Sequence, residues 1–465
     1  MKKAISKMKP PEIRTAGPTS ALLGINALYR IRNDPLAYYQ SLNSTFGDTV
    51  KIRLGPYRCW FIFHPDHIES VLATKASSFI RFEKIMNILR QWNGNSLLIA
   101  EGSSWKNRRR KVLPSLSQQR IPSYAKLVSR LAQDLTETII SKIKENGSYE
   151  SSIDDEMAQY SLEVAYKTLF NKNLNTVVQP ISEAVNCLSE IAYKETTSAF
   201  TLPRFIPTPA NRKKKKIIKL MRSCIRDIVL ERIEQSSKEE SDLLSILIKH
   251  HGGNTSAIEE DVISLLIAGH ETSGATLSWL FLLLAKHQDV QHKIQKELDN
   301  ILGNTSASYE NLKNLPYLNA VIKETMRLYP SAYALFCRRA TEDVDIGGAL
   351  VKKGDLVQIF PYITQRDNRW FKDADRFNPE RFINSESWPK YAYFPFGAGP
   401  RICIGQSFGM MEVALTIATI LQRLSLSQVE SSLESAPRFS LRPDKNITIS
   451  FSSRPQIERV EDQIT

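Results

Sequence analysis

The residues best equipped for chemistry lie in the run Phe394-Pro-Phe-Gly-Ala-Gly-Pro-Arg-Ile-Cys-Ile-Gly405, which leads into a helical pattern from about Gln406. Two glycines and a proline ahead of a cysteine describe a tight loop whose backbone must approach something flat and bulky. Cys403 then stands at a helix N-terminus, where unpaired backbone N–H groups and the positive dipole end favour thiolate over thiol. Gly405 would let its N–H reach the sulfur with no side chain in the way. An isolated cysteine so placed is more often a buried cap than a ligand, so the rest of the chain has to decide.

A second group is Ala268-Gly-His-Glu-Thr-Ser273, set in an otherwise apolar stretch from Ala257 to Lys286. A glycine there costs about 1 kcal/mol relative to alanine, and a buried carboxylate and hydroxyl both need partners. Gly269 removes bulk one turn before Thr272, whose hydroxyl can replace a main-chain bond, so the pattern predicts a local opening of the helix. Two weaker patterns follow. Glu324-Thr-Met-Arg327 sets opposite charges on one helical face, with Asn378-Pro-Glu-Arg381-Phe382 later in the chain, and Trp105-Lys-Asn-Arg-Arg109 does the same for a ring and a cation. Such pairs are common and individually uninformative.

In this order the segments resemble the cytochrome P-450 superfamily. Phe396, Gly397, Gly399, Arg401, Cys403 and Gly405 fall on its haem-loop pattern F-x-x-G-x-R-x-C-x-G, and Ala268 to Ser273 fall on its oxygen-activation pattern [AG]-G-x-[DE]-T-[TS]. The resemblance implies haem b with Cys403 as axial ligand, Phe396 beside the sulfur, and Gly405 and Ala268 against the cofactor. Trp105, Arg109, Arg401 and Arg338 are its implied propionate partners, with Arg339 leaving the register of the last one open. Glu271 and Thr272 become the acid–alcohol pair that relays protons for the activation of O2. His270 is the variable position of that pattern and is read as structural. Glu324, Arg327 and Arg381 become a buried network under the haem loop. The pocket above the haem is expected to draw on Ala268, Thr272, Tyr333, Ala334, Leu335 and Phe336, and on the variable stretches Phe79 to Leu98 and Ala199 to Phe205. The resemblance extends from Gly47 to Leu421, with Pro114-Ser-Leu a mild departure, and it is similar to the soluble bacterial type and to the branch that includes fatty-acid hydroxylases.

The elements that must hold these residues are mostly helices. Helical periodicity appears at 66–74, 103–112, 120–145, 151–170, 177–193, 213–235, 241–250, 258–286, 288–302, 317–328 and 405–423. Val50, Ile52 and Leu54 alternate before Gly55-Pro56, and Cys59 to Phe63 resumes, which reads as a hairpin. Strand patterns return at 342–360 and 438–452. Ser256 and Glu259 form an expected capping box. The predicted fold is mainly α with a minor β-sheet region, as one domain over 19–465 behind a flexible basic segment over 1–18.

The chain has 465 residues, 42% of them hydrophobic, which is enough for a large core. Five widely spaced cysteines without a C-x-x-C argue against a disulfide framework or a zinc knuckle. No apolar run approaches the roughly 18 residues of a membrane span, so a soluble, cytoplasmic monomer without a transmembrane anchor is expected. The net charge of +13 admits another class, a binder of nucleic acid or anionic membrane using Lys213 to Lys216. The charge is otherwise scattered and no nucleic-acid motif accompanies it, so no nucleic acid is expected as partner. No G-x-G-x-x-G precedes a helix and no flavin or iron–sulfur spacing is present. Electrons must therefore come from a ferredoxin or flavodoxin with its NAD(P)H reductase, docked on Arg108, Arg110 and Lys111. The expected reaction is hydroxylation of an apolar small molecule, fatty acid or terpenoid-like. Peroxide-driven or isomerase chemistry on the same haem is the rival within the family, and retention of Glu271 and Thr272 argues against it. Arg58 or Arg81 could anchor a substrate carboxylate near the entrance.

Overall fold

A helix that is apolar on every face has to be surrounded by protein. In the computed structural model, which describes residues 17–18, 24–171, 175–198, 206–234, 242–384, 387–428, 435–443 and 447–454, this central helix is Thr255–Lys286 and its stretch from Ser273 to Ala285 is buried throughout. Its cap is Asn254, whose side chain accepts from the Ala257 N–H at 3.0 Å. The expected box at Ser256 does not form, because Glu259 is committed to Arg222 and Arg226 on the helix Pro209–Glu234. Nor does the central helix open near Gly269. It runs unbroken, with the Thr272 hydroxyl donating back to the Ala268 carbonyl at 2.8 Å. The glycine that close packing demands is Gly274: a Cβ there would lie 3.3 Å from Met157 O and Ala158 Cα on the helix Ile153–Phe170.

The protein is mainly helical with small sheets. Helices occupy the windows read from periodicity, and others form in unmarked regions, among them Ile25–Asn33, Pro35–Phe46 and Glu83–Asn93. The predicted hairpin pairs Thr49–Leu54 with Tyr57–Ile62. It is one side of a five-stranded sheet continued by Leu356–Ile359, Arg338–Ala340 and Phe79–Arg81. In that last pairing Arg81 stands directly opposite Arg338. The expected flexible segment lies outside the described residues except for 17–18, and so does the proposed pocket stretch Ala199 to Phe205. Among the described residues no helix is long and apolar enough to cross a membrane.

The patterned charges of the helix Pro316–Leu328 form the expected buried network. Arg327 clamps Glu324 at 2.6 and 2.9 Å, and Arg381 reaches the same carboxylate at 3.0 Å. From there the network extends to the cysteine loop. Arg327 donates to the Gln365 carbonyl at 2.7 Å, and the Gln365 side chain accepts the Phe394 N–H at 2.9 Å.

Candidate active site

The loop from Phe394 closes on itself through Gly397 N–H to Phe394 O at 2.9 Å and Cys403 N–H to Phe396 O at 3.0 Å. Gly397 and Gly399 have φ of +69° and +68°, and at Gly399 a Cβ would collide with the Leu72 carbonyl 1.8 Å away. Glycine is therefore obligatory at Gly399 for two reasons, left-handed backbone and lack of room. At Gly405 a Cβ would sit 4.0 Å from the Cys403 sulfur, an ordinary contact, so the sulfur does not itself require a glycine there. Cys403 precedes the final helix, Gln406–Arg423, and faces a cavity of about 380 Å³ between this loop and the central helix. Contrary to the expectation of a free thiolate, burial pushes its thiol up; the Gly405 N–H and the Arg109 charge pull the other way without prevailing.

Four guanidinium groups line that cavity, those of Arg81, Arg109, Arg338 and Arg401. Glu101 is the carboxylate that pairs among them, taking Arg81 and Arg401 at 2.6 Å each. Arg401 also stacks on Trp105, 4.0 Å from the ring centre, while Arg109 lies 5.8 Å from it and donates to Ile402 O at 3.1 Å. Burial and then Arg81 lower Arg338 to about 10 and Arg401 to about 9, with Glu101 opposing. Like charges set across a strand pair repel. The excess of cations over carboxylates here calls for added negative charge. The register is also plain: Arg338 faces the cavity, whereas Arg339 is ion-paired to Glu83 and 40% exposed.

On the opposite wall, Ala268 and Thr272 face the cavity. Glu271 does not. Its carboxylate points behind the helix to Ser440 at 3.0 Å and Arg442 at 3.3 Å, and Arg442 is itself paired to Asp154 at 2.8 Å. Although burial works to raise the Glu271 pKa, Arg442, His270 and the flanking hydroxyls outweigh it and lower it below the usual value. Leu335 and Phe336 line the cavity as expected, fixed by the Leu335 N–H donating to Ile359 O at 3.0 Å. Tyr333 and Ala334 turn away from it. The Tyr333 hydroxyl donates to Arg438 O, and Ala334 packs in the cluster around Phe360. Ser331 and Ala332 take their places. Of the earlier wall segment, Arg81, Leu97 and Leu98 contribute. Arg81 thus belongs to the cation cluster, and Arg58 is held by Asp355 at 2.7 Å, so neither is a free anchor at an entrance. Arg108 is likewise removed from any docking surface by Glu260 at 2.7 Å and Asp261 at 3.0 Å.

A family model described as Cytochrome P450 matches residues 16–451. The chain belongs to the cytochrome P450 family. Among P450 relatives it is 31% identical over 442 residues to cyclooctat-9-en-7-ol 5-monooxygenase of Streptomyces melanosporofaciens, covering 90% of this chain and 92% of that protein. It is 29% identical to mouse cytochrome P450 4V2, over 87% of this chain and 82% of that one. To the chloroplastic carotene epsilon-monooxygenase of Arabidopsis thaliana it is 28% identical, over 85% and 77%. The protein is therefore an oxidoreductase of the P450 monooxygenase type, and membership implies haem and the use of dioxygen.

The residues present fit such a group. A thiol opens on the cavity floor beside Phe396, a surplus of guanidinium groups matches two carboxylates, and the remaining walls are largely apolar. Among the described residues no cluster of three or more His, Cys, Asp or Glu could hold a metal by protein ligands alone. Sequence patterns missed the roles of Arg81, Glu101, Gln365 and Arg442. Each acts through a partner far away in the chain, and no local spacing marks them.

Proposed function

We propose that this P450 is a haem–thiolate monooxygenase that hydroxylates an apolar small molecule, with Cys403 as the residue that would hold the iron of haem b. The observation that carries this reading is one cavity with a cysteine loop on its floor, an under-neutralised arginine cluster at its side and a hydroxyl-bearing helix across it. Arg109, Arg338 and Arg401, joined by Arg81 and Trp105, would hold the propionates. Two added carboxylates would relieve their mutual repulsion and so favour binding of the group. Cys403 would hold the iron through its sulfur as a thiolate, since a metal deprotonates a bound thiol outright. Haem held by a thiolate supplies an electron push that favours O–O cleavage.

The protein's own residues then orient the substrate and handle protons. Thr272 holds a hydroxyl at the cavity, and Glu271, anchored by Arg442 behind the same turn, is the acid that must swing to meet it. Leu97, Leu98, Leu265, Leu335 and Phe336 exclude water from the cavity. The cations among the described lining residues sit in the propionate cluster, which leaves no free anchor for a carboxylate and favours a neutral, terpenoid-like substrate over a fatty acid. Relatives named for cyclooctat-9-en-7-ol and carotene point the same way. Electrons come from a ferredoxin or flavodoxin with its NAD(P)H reductase, docked against Arg110 and Lys111. Turnover with such a donor under labelled dioxygen should place one labelled oxygen in the product of a neutral terpenoid. Unlabelled product, or turnover with peroxide alone, contradicts the reading.

A further inference from the structure

Between the helices Glu83–Asn93 and Gly102–Val112 the chain runs as an irregular segment, and two of its residues, Leu97 and Leu98, line the cavity. Backbone outside a regular ladder has to find its hydrogen bonds elsewhere. At one end of the segment they come from arginines already described: Leu98 O and Ala100 O accept from Arg81, and Ala100 O also accepts from Arg401 at 3.0 Å. At the other end the holder is a carboxylate. The Leu97 N–H donates to Asp261 Oδ1 at 2.7 Å, and at Gly94 a Cβ would collide with the Glu260 carboxylate, so the segment lies directly on the central helix. Asp261 is fully buried and stands two turns ahead of Ala268 on the same side of that helix. Its other oxygen lies 3.0 Å from Arg108 Nη1 and 2.9 Å from His251 Nε2. Arg108 keeps a second carboxylate, Glu260, at 2.7 Å, so its charge does not depend on Asp261 alone.

Asp261 thus touches the Leu97–Leu98 wall from behind. A carboxylate is a strong acceptor for a single N–H, and a wall that is in place before a ligand arrives need not be ordered at the moment of binding. We propose that Asp261 is a positioning residue for substrate: by holding the Leu97 N–H it fixes the Leu97–Leu98 wall, and so sets how tightly and in which orientation an apolar molecule lies in the chamber. This inference rests on the monooxygenase reading above. Loss of one charge-assisted bond lowers the fraction of molecules with the wall in place roughly tenfold, and the apparent affinity for a ligand that packs on the wall falls by the same factor.

Two azoles that bind ferric iron through nitrogen test this whatever the substrate is. Imidazole is small, whereas 4-phenylimidazole carries an apolar ring into the chamber. In spectral titrations of the holoenzyme, Asp261→Ala should bind 4-phenylimidazole roughly tenfold more weakly than the wild type, with imidazole affinity unchanged. Asp261→Asn, whose side-chain carbonyl can still accept the Leu97 N–H, should bind both azoles as the wild type does. Asp242→Ala is the control: it removes another buried acid, paired to Arg232, and should lower stability without changing the ratio of the two affinities. An unchanged ratio in Asp261→Ala, an asparagine variant as impaired as the alanine one, or the same change of ratio in Asp242→Ala overturns the proposal. Hydrogen–deuterium exchange reads the bond itself: the Leu97 amide should exchange slowly in the wild type and roughly tenfold faster in Asp261→Ala. Should Asp261→Ala not fold, Asp261→Asn and the wild-type amide decide, and rapid exchange at Leu97 in the wild type overturns the proposal. A holoenzyme whose carbon monoxide complex lacks the thiolate signature overturns the monooxygenase reading instead and leaves the exchange test standing.

Discussion

Arg338 lines the cavity, and its motif position alone does not say why a carboxylate should bind there. Its motif position marks it as a candidate partner of a carboxylate, and Arg81 faces it across a strand pair, with Arg401 close by and Glu101 to share. Removing a charge-assisted hydrogen bond costs about 1.5–3 kcal/mol. Arg338→Gln should therefore weaken haem retention roughly ten- to a hundredfold, measured by haem transfer to an acceptor protein; unchanged retention would remove the residue from the propionate site. Glu271 shows the reverse case. Its type was legible and its direction was not, because Arg442 and Ser440 lie far away in the chain. His270 beside it is held neutral, lowered to about 4 chiefly by burial, with Arg442 adding to the effect and Glu271 opposing it. An unfolded histidine takes up its proton near 6.5, so the unfolded chain binds more protons in the window below that value. Stability should fall as pH drops from about 6.5 toward 4, and His270→Asn should flatten that limb of the unfolding curve. An identical acid limb in the variant would show that His270 is not its source.

Long periodic helices were legible because one face or all faces are apolar, as in the central helix. Pro35–Phe46 was missed although Asp34 caps it by accepting from Ala37 N–H, with proline at the first position, a signal that was present and unread. The short strands Phe79–Arg81 and Arg338–Ala340 carry three residues each, too few for an alternating pattern, and exist through pairing across the chain. Contacts between elements also decide which glycine matters. Gly274→Leu should destabilise the protein by about 1–3 kcal/mol in denaturant unfolding, since the backbone of Ile153–Phe170 cannot retreat. Gly269→Ala, with 3.7 Å of room to Ala165, should be close to neutral for stability. The reverse ranking would mean that the two helices pack differently. Glu324→Gln leaves Arg327 and Arg381 buried without their counter-charge, at a cost of about 3–5 kcal/mol. Because Gln365 links this network to Phe394, the same variant should also release haem faster.

For the molecule as a whole, the central helix and the cysteine loop are two walls of one chamber, held in place by the rest of the fold. Its exterior has to admit electrons. Arg110 is exposed on the helix Gly102–Val112, whose residues Trp105 and Arg109 reach the chamber, so a donor bound there would be near the cofactor. Reversing Arg110 and Lys111 to glutamate should slow first-electron reduction at low ionic strength and matter less as salt rises; salt-independent slowing would point to damage inside the protein. Everything in this account hangs from the sulfur of Cys403. Carbon monoxide added to the reduced holoprotein should give the red-shifted Soret band of thiolate-ligated iron, and Cys403→Ala should abolish it. A protein that binds haem without that band, or a variant that keeps it, would contradict the assignment.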